Sequence, residues 1–180
     1  MAIEIEKKYR LNEENRRFVL KALEQVGAVF TGEDFEENII YNGGALNKRN
    51  AILRIRKTQN KTLFTYKERV GNQSGIKHQI EHETEAADAG SLISIVETLG
   101  FKALLTYEKR RKTWMLRNAE VVIDELPFGL FMEIEGSITA IKEAEMFLDI
   151  EDFEVELETY PSITARLGVP KNGVIEARFN

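Results

Sequence analysis

Cysteine is absent from all 180 residues, which excludes disulfide staples, thiolate metal sites and cysteine nucleophiles and is compatible with a reducing compartment. Proline is scarce, with three residues, and no proline-rich or low-complexity tract marks a linker. Long hydrophobic runs are missing as well. Nowhere do about 18 apolar residues follow one another, and Met1-Ala2-Ile3-Glu4-Ile5-Glu6-Lys7-Lys8 turns charged before a signal-peptide core develops. A cytoplasmic chain with no membrane partner is therefore expected. Nor is there an excess of basic charge: 25 Lys plus Arg stand against 30 Asp plus Glu, a net charge of −5, which argues against a nucleic-acid coat. What remains, 43% hydrophobic and 31% charged, fits a globular chain folding as one domain over residues 1–180.

The residues that are there alternate with period 2, and their polar face is dense in charge of both signs. In the opening run Ile3, Ile5, Tyr9 and Leu11 share one strand face and Glu4, Glu6, Lys8 and Arg10 the other. Lys7 interrupts the apolar side. Asn12 caps a helix running to about residue 26, with Phe18, Val19, Ala22, Leu23 and Val26 as its buried stripe and Gly27 as its stop. Extended segments follow at Val29–Tyr41, around Leu53–Arg56, and at 61–69 and 76–85, the last two a hairpin about Gly71-Asn72-Gln73-Ser74-Gly75. A helix with Leu92, Ile93, Ile95, Val96 and Leu99 ends at Gly100. Strands at 101–116, 119–126 and 129–137 and helices near 139–149 and 159–168 complete an α+β pattern of about eight antiparallel strands.

Seven strand segments carry ionisable side chains on one face: Glu4/Glu6/Lys8, Arg54/Arg56, Lys67, Glu81/Glu83, Lys109/Arg111, Asp124 and Glu133/Glu135. Taken singly, each is an ordinary solvated sheet face. Taken together, with apolar opposite faces fit to pack under helices, they imply charged faces that look at one another across a closed barrel. Cations suit phosphate oxygens, and clustered carboxylates call for a divalent metal. His78 and His82 fall on the opposite, outer face with Ile80, away from the charged row.

The motifs resemble, in order, those of the CYTH superfamily, the triphosphate tunnel metalloenzymes that include class IV adenylyl cyclases and thiamine triphosphatases. Glu4-Ile5-Glu6-Lys7-Lys8 matches the ExExK signature, Arg54-Ile55-Arg56 the RxR strand, and Thr65-Tyr66-Lys67 the next lysine strand. Glu81-His82-Glu83 resembles the central ExE, Lys109-Arg110-Arg111 the KxR strand, and Asp124 with Glu133-Ile134-Glu135 the closing hairpin. The likeness covers about residues 1–137.

That resemblance implies an eight-stranded antiparallel closed β-barrel with helices packed outside, binding a triphosphate and Mg²⁺ or Mn²⁺. By analogy Arg54, Arg56, Lys67, Lys109 and Arg111 hold phosphates, with Lys77 as an addition and Lys8 joining them or orienting the attacking group. Glu133 and Glu135 are implied ligands of a first metal, with Asp124 and Glu81 or Glu83 near it. Glu4 and Glu6 serve a second metal or the water it activates. The C-terminal helix is expected to plug one tunnel end with Arg166, Lys171 or Arg178 as its basic contribution, and the Gly168-Val169-Pro170 turn to let it move. The function implied is a metal-dependent hydrolase of inorganic or organic triphosphate, thiamine triphosphate and ATP among the candidates. The alternatives are a cyclase making cyclic AMP and pyrophosphate, and a nonenzymatic polyphosphate or nucleotide binder. A homodimer through an outer face is compatible with such a barrel.

Overall fold

The computed structural model describes residues 2–73 and 75–180; Met1, and Ser74 of the expected 71–75 turn, lie outside the described residues. In chain order the elements are β1 (Ala2–Leu11), α1 (Glu13–Gln25), β2 (Val29–Asn42), α2 (Leu46–Arg49) and β3 (Ala51–Lys57). Next come β4 (Thr62–Gln73), β5 (Ile76–Ala86), α3 (Ala89–Thr98), β6 (Lys102–Leu116), β7 (Ala119–Leu126) and β8 (Gly129–Glu135). α4 (Ile138–Leu148), α5 (Tyr160–Leu167), β9 (Val169–Lys171) and β10 (Val174–Ala177) complete the chain.

Strands β1–β8 pair in the order β2-β3-β4-β5-β1-β8-β7-β6, and β6 pairs back with β2, so the sheet closes on itself with every junction antiparallel. Closure removes the open edges that a sheet otherwise exposes. The expected eight staves are present, and two short strands extend them. β10 runs parallel to β6 through Ile175↔Leu105 and Ala177↔Tyr107, and β9 pairs with β10. The segment that the sequence suggests as a mobile turn is thus hydrogen-bonded sheet. α2 is the other addition, a single turn after the Gly43-Gly44 bend.

The outer face is apolar where helices cover it. Asn12 accepts a hydrogen bond from the Asn15 amide at 2.8 Å, opening α1, and Gly27 takes φ +72° just past its end, where a side chain would be strained. α1 and α4 bury Val19, Leu23, Ile141, Ala144 and Leu148 against Tyr9, Met132 and Ile134 of the barrel, each side chain of leucine size contributing about 1.5–3 kcal/mol of transfer free energy. α3 packs Val96 on Ile55 and Tyr41. Lys7, the break in the first strand's apolar side, pairs with Glu145 of α4, which also accepts the Tyr9 hydroxyl at 2.7 Å. His82 sits on the outside as expected, stacked on Tyr66.

The linker before α5 belongs to the wall. Beyond Lys7 the β5 side of β1 is taken by residues 154–156: the Arg10 amide donates to the Glu154 carbonyl at 3.0 Å and the Glu156 amide to the Lys8 carbonyl at 2.8 Å. This wall segment delivers α5 to one barrel end, where Tyr160 and Ile163 pack on Ile40, Leu105, Leu126 and Phe131.

Candidate active site

Alternation carries the charged row of each strand into the barrel, around a cavity of about 700 Å³. Lys8, Arg54, Arg56, Lys67, Lys109 and Arg111 all line it, together with Glu4, Glu6, Glu81, Glu83, Glu133 and Glu135. Asp124 and Lys77 lie buried in the same network without lining that space, at 0% and 1% exposure. All of the site residues implied by the sequence therefore face one interior, and both histidines stay out of it.

The pairing register gives the interior an axis. Read from the same end, the inward rows run Glu135, Glu133, Phe131 on β8; Glu120, Val122, Asp124, Leu126 on β7; and Glu36, Asn38, Ile40 on β2. On the other walls they run Arg56, Arg54, Ile52 on β3; Thr65, Lys67, Arg69 on β4; and Glu83, Glu81, Gln79 on β5. Glu135, Glu120, Glu36 and Glu83 open their rows, a belt of cations interleaved with carboxylates follows, and Phe131, Leu126, Ile40 and Ile52 close theirs, whereas β3 opens on Arg56 and β4 closes on Arg69.

In the belt every cation faces a carboxylate. Arg111 donates to both Asp124 oxygens at 2.8 and 2.6 Å and to Glu133 at 2.6 Å. Lys109 lies 3.2 Å from Glu36 and 3.4 Å from Asp124; Arg56 lies 3.2 Å from Glu36 and donates to Asn38 at 3.1 Å. Lys67 bridges Glu4 at 2.6 Å and Glu81 at 2.8 Å, and Lys77 reaches Glu6 at 3.4 Å. Arg54 meets Thr65, Glu83 and Glu81, yet its buried Nε–H has no acceptor among the described residues. A buried donor without a partner costs about 1–3 kcal/mol, and in a cavity wall it is an anion contact waiting to be made.

These surroundings set the protonation states. Burial opposes ionisation of Glu36, but Lys109, Arg56, Arg111 and Arg54 hold its carboxyl well below the usual range. Glu133 is lowered likewise against its burial, by Lys8, Arg111, Lys109 and Lys77. Burial, joined by the charge of Arg111, brings Lys109 down to about 8 against the pull of Asp124 and Glu36.

The acidic end behaves in the opposite way. Glu120, Glu135 and Glu6 are direct register partners across β7, β8 and β1, an arrangement that is destabilising for like charges. Neither Glu120 nor Glu135 has an ion-pair partner among the described residues. Burial, with the charges of Glu4 and Glu120 behind it, pushes Glu135 up to about 7. Glu4 also rises to about 7, through burial and a hydrogen bond shared with Glu81, against the pull of Lys67. Among the described residues no three of these groups converge closely enough to enclose an ion as they stand. As a donor set, however, an all-oxygen cluster that is strained by mutual repulsion fits Mg²⁺ or Mn²⁺.

The C-terminal helix departs from expectation. Arg166 donates to Glu158 at 2.6 Å, Lys171 pairs with Glu176, and Arg178 straps Glu37, Glu108 and Glu176 on the outside; none of the three lines the cavity. α5 sends in Tyr160 instead. Its hydroxyl donates to Asp124 at 2.8 Å, and its ring lies under the Lys8 ammonium at 3.7 Å, which also donates to the Glu158 carbonyl at 3.1 Å. Gly168 is packed against Ile175, Thr164 and Glu176 rather than poised as a hinge. Sequence reasoning passed over Tyr160, Glu36 and Glu120. For the two glutamates the signal was available, because each shares the parity of an inward row.

The CYTH domain family profile matches residues 2–162, and the chain belongs to this family, whose members are triphosphatases and cyclases. A Methanocaldococcus jannaschii protein named "Putative adenylate cyclase MJ0240" is 28% identical over 98% of this chain and 96% of its own. Among solved structures, the PH1012 protein of Pyrococcus horikoshii superposes with a TM-score of 0.76 at 27% identity, over 88% of this chain and 98% of that one. A Hippeastrum protein, "Putative adenylyl cyclase HpAC1", described as having a dominant triphosphatase activity, shares the fold with a TM-score of 0.69 at 19% identity, over 92% and 96%.

Proposed function

We propose that this chain is a divalent-metal-dependent triphosphatase that hydrolyses inorganic or organic triphosphate inside the barrel. The observation that carries the reading is the cation belt, in which Lys8, Arg54, Arg56, Lys67, Lys109 and Arg111 converge from four strands on one cavity and are each paired with a carboxylate of the same lumen. Burying that much paired charge is costly for the fold alone. A triphosphate takes the Lys and Arg side chains out of their internal pairs, and the carboxylates so released are the ones that face a cation.

Glu4 and Glu6 on β1 and Glu133 and Glu135 on β8 would hold the metal, with Asp124 joining as Arg111 turns to phosphate. A bound divalent ion supplies neutralisation of phosphoryl charge and a lowered pKa for the attacking water. The protein's own part is positional: Arg111, Arg56 and Lys109 fix the phosphate chain, Lys8 is held by Tyr160 and Glu158 for the transferred group, and the closed wall excludes bulk water. The dominant triphosphatase activity of the Hippeastrum fold relative supports hydrolysis. The cyclase name of the Methanocaldococcus relative supports a second reading, in which the ribose 3′-hydroxyl of ATP attacks the α-phosphorus.

Titration calorimetry with inorganic triphosphate and Mg²⁺ tests the binding half. Arg54→Ala is expected to weaken binding at least tenfold, because the orphaned Nε–H and its guanidinium are lost together. Unchanged affinity contradicts the phosphate role.

A further inference from the structure

Glu36 and Asn38 stand two apart on β2, so alternation turns both side chains into the barrel. Neither lines the cavity, and they are 2% and 0% exposed. Their register partners do line it: Glu36 stands directly opposite Lys109 on β6, and Asn38 directly opposite Arg56 on β3. One carboxylate oxygen of Glu36, Oε2, gathers the contacts. It lies 3.2 Å from Lys109 Nζ and 3.2 Å from Arg56 Nε and accepts from the Asn38 amide at 3.3 Å, while Asn38 Oδ1 accepts from Arg56 Nε at 3.1 Å.

We propose that Glu36 and Asn38 are positioning residues of the phosphate site, a seat that keeps its hold on Arg56 and Lys109 while a triphosphate is bound and aims both at it. The proposal rests on the triphosphate reading and deepens it, by separating the carboxylate that a ligand leaves in place from those that it displaces.

The first support is where each arginine is gripped. The seat takes Arg56 at Nε, and its two terminal nitrogens have no hydrogen-bond partner among the described residues. That end of the guanidinium is free for bidentate bonds to phosphate oxygens. Arg111 differs, because Asp124 and Glu133 occupy its Nε and Nη2 and a phosphate has to displace them. The second support is access. Glu81, Glu83 and Glu133 line the cavity and can exchange a cation for a metal or water, whereas Glu36 is enclosed, and losing its cations would strand a buried charge. The third is repulsion within the belt. Burial, with the charges of Arg54 and Arg111 behind it, lowers the Arg56 guanidinium from its ordinary value, and Glu36 works against that lowering. A guanidinium crowded by two others needs a fixed counter-charge to stay aimed between them.

Two substitutions separate aiming from charge. Glu36→Gln keeps the length of the side chain and removes one negative charge. If Glu36 merely competed with phosphate for Lys109 and Arg56, this change would leave the cavity more positive and tighten anion binding; a seat predicts the opposite. Asn38→Leu keeps the net charge and nearly the same volume and removes both hydrogen bonds of the amide. Titration calorimetry with inorganic triphosphate and Mg²⁺ is expected to show each variant weakened about tenfold, the loss of an aimed, charge-assisted contact. Tighter or unchanged binding by Glu36→Gln overturns the proposal, and so does unchanged binding by Asn38→Leu.

A double-mutant cycle tells positioning from a general structural role. In an Arg56→Ala background Asn38 has no guanidinium left to aim, and Asn38→Leu is expected to weaken triphosphate binding by less than about twofold further. The full loss on top of Arg56→Ala would show that Asn38 only supports the wall, and overturns the proposal. Should Asn38→Leu fail to fold, Glu36→Gln decides alone, through the sign of its effect. A wild type that binds no triphosphate overturns the parent reading and this one with it, a result distinct from each of the others.

Discussion

Glu36 illustrates how much a single side chain carries in this lumen. At 2% exposure it lies between Lys109 and Arg56, so Glu36→Ala leaves two buried cations with one partner fewer. Removing one member of a buried pair costs about 3–5 kcal/mol, and a chemical denaturation curve should lose about that much. A loss below 1 kcal/mol would mean that the pairs rearrange freely. Tyr160 makes a second test. Tyr160→Phe keeps the ring under Lys8 and removes the hydroxyl that Asp124 accepts, a charged hydrogen bond worth about 1.5–3 kcal/mol. A fall in stability of that size with an intact fold is expected on thermal denaturation, whereas an unchanged midpoint would show that Asp124 is held by Arg111 and Lys109 alone. The residues of the ExExK, RxR and ExE patterns were legible in the sequence because strand alternation fixes which way they point. Tyr160 was not, because its role depends on how deeply a helix from another part of the chain enters the barrel.

At the scale of elements, the C-terminal segment is an anchored stopper. Residues 154–156 complete the wall beside β1, α5 fills part of one end, and β10 clamps to β6, with Arg178 tying the strap to Glu37 and Glu108. Gly168 is where this packing is tightest. A Cβ there would lie 2.6 Å from Ile175 Cγ2, 2.7 Å from the Thr164 carbonyl oxygen and 2.9 Å from that of Glu176. Gly168→Ala is therefore expected to destabilise by about 1–3 kcal/mol, read as a lowered melting temperature. A neutral result would show that α5 and β10 are free to part, as the sequence suggests for a Gly-Val-Pro turn. The eight barrel strands were legible from their period, and four of the five helices from caps and apolar stripes. β9 and β10 were hidden because strands of three and four residues carry too little alternation to read, and the pairing of β10 with β6 is a matter of tertiary contact.

For the whole molecule, the crowded and the cation-paired carboxylates of the lumen make stability depend on pH in two directions. Glu4 and Glu135 have carboxyls raised to about 7 from a usual 4.5, so their contribution is full below about 4.5 and is lost as pH rises through 7. Glu36 and Glu133 are lowered, so theirs is present above about 4.5 and is lost as pH falls below it. The metal-free protein is accordingly expected to melt at a lower temperature at pH 8 than at pH 6. Mg²⁺ should raise the midpoint more at pH 8, where the acidic end is ionised. A Glu4→Gln variant should flatten the profile. Equal midpoints with and without metal across that range would contradict an ion site at this end.

The central claim is that the belt holds a triphosphate for cleavage. The most direct measurement is a parallel incubation with inorganic triphosphate, thiamine triphosphate and ATP, each with Mg²⁺ or Mn²⁺, assayed for phosphate, pyrophosphate and cyclic AMP. The account predicts metal-dependent release of phosphate from at least one triphosphate without cyclic AMP. Cyclic AMP with stoichiometric pyrophosphate, or no product from any of the three, would contradict it.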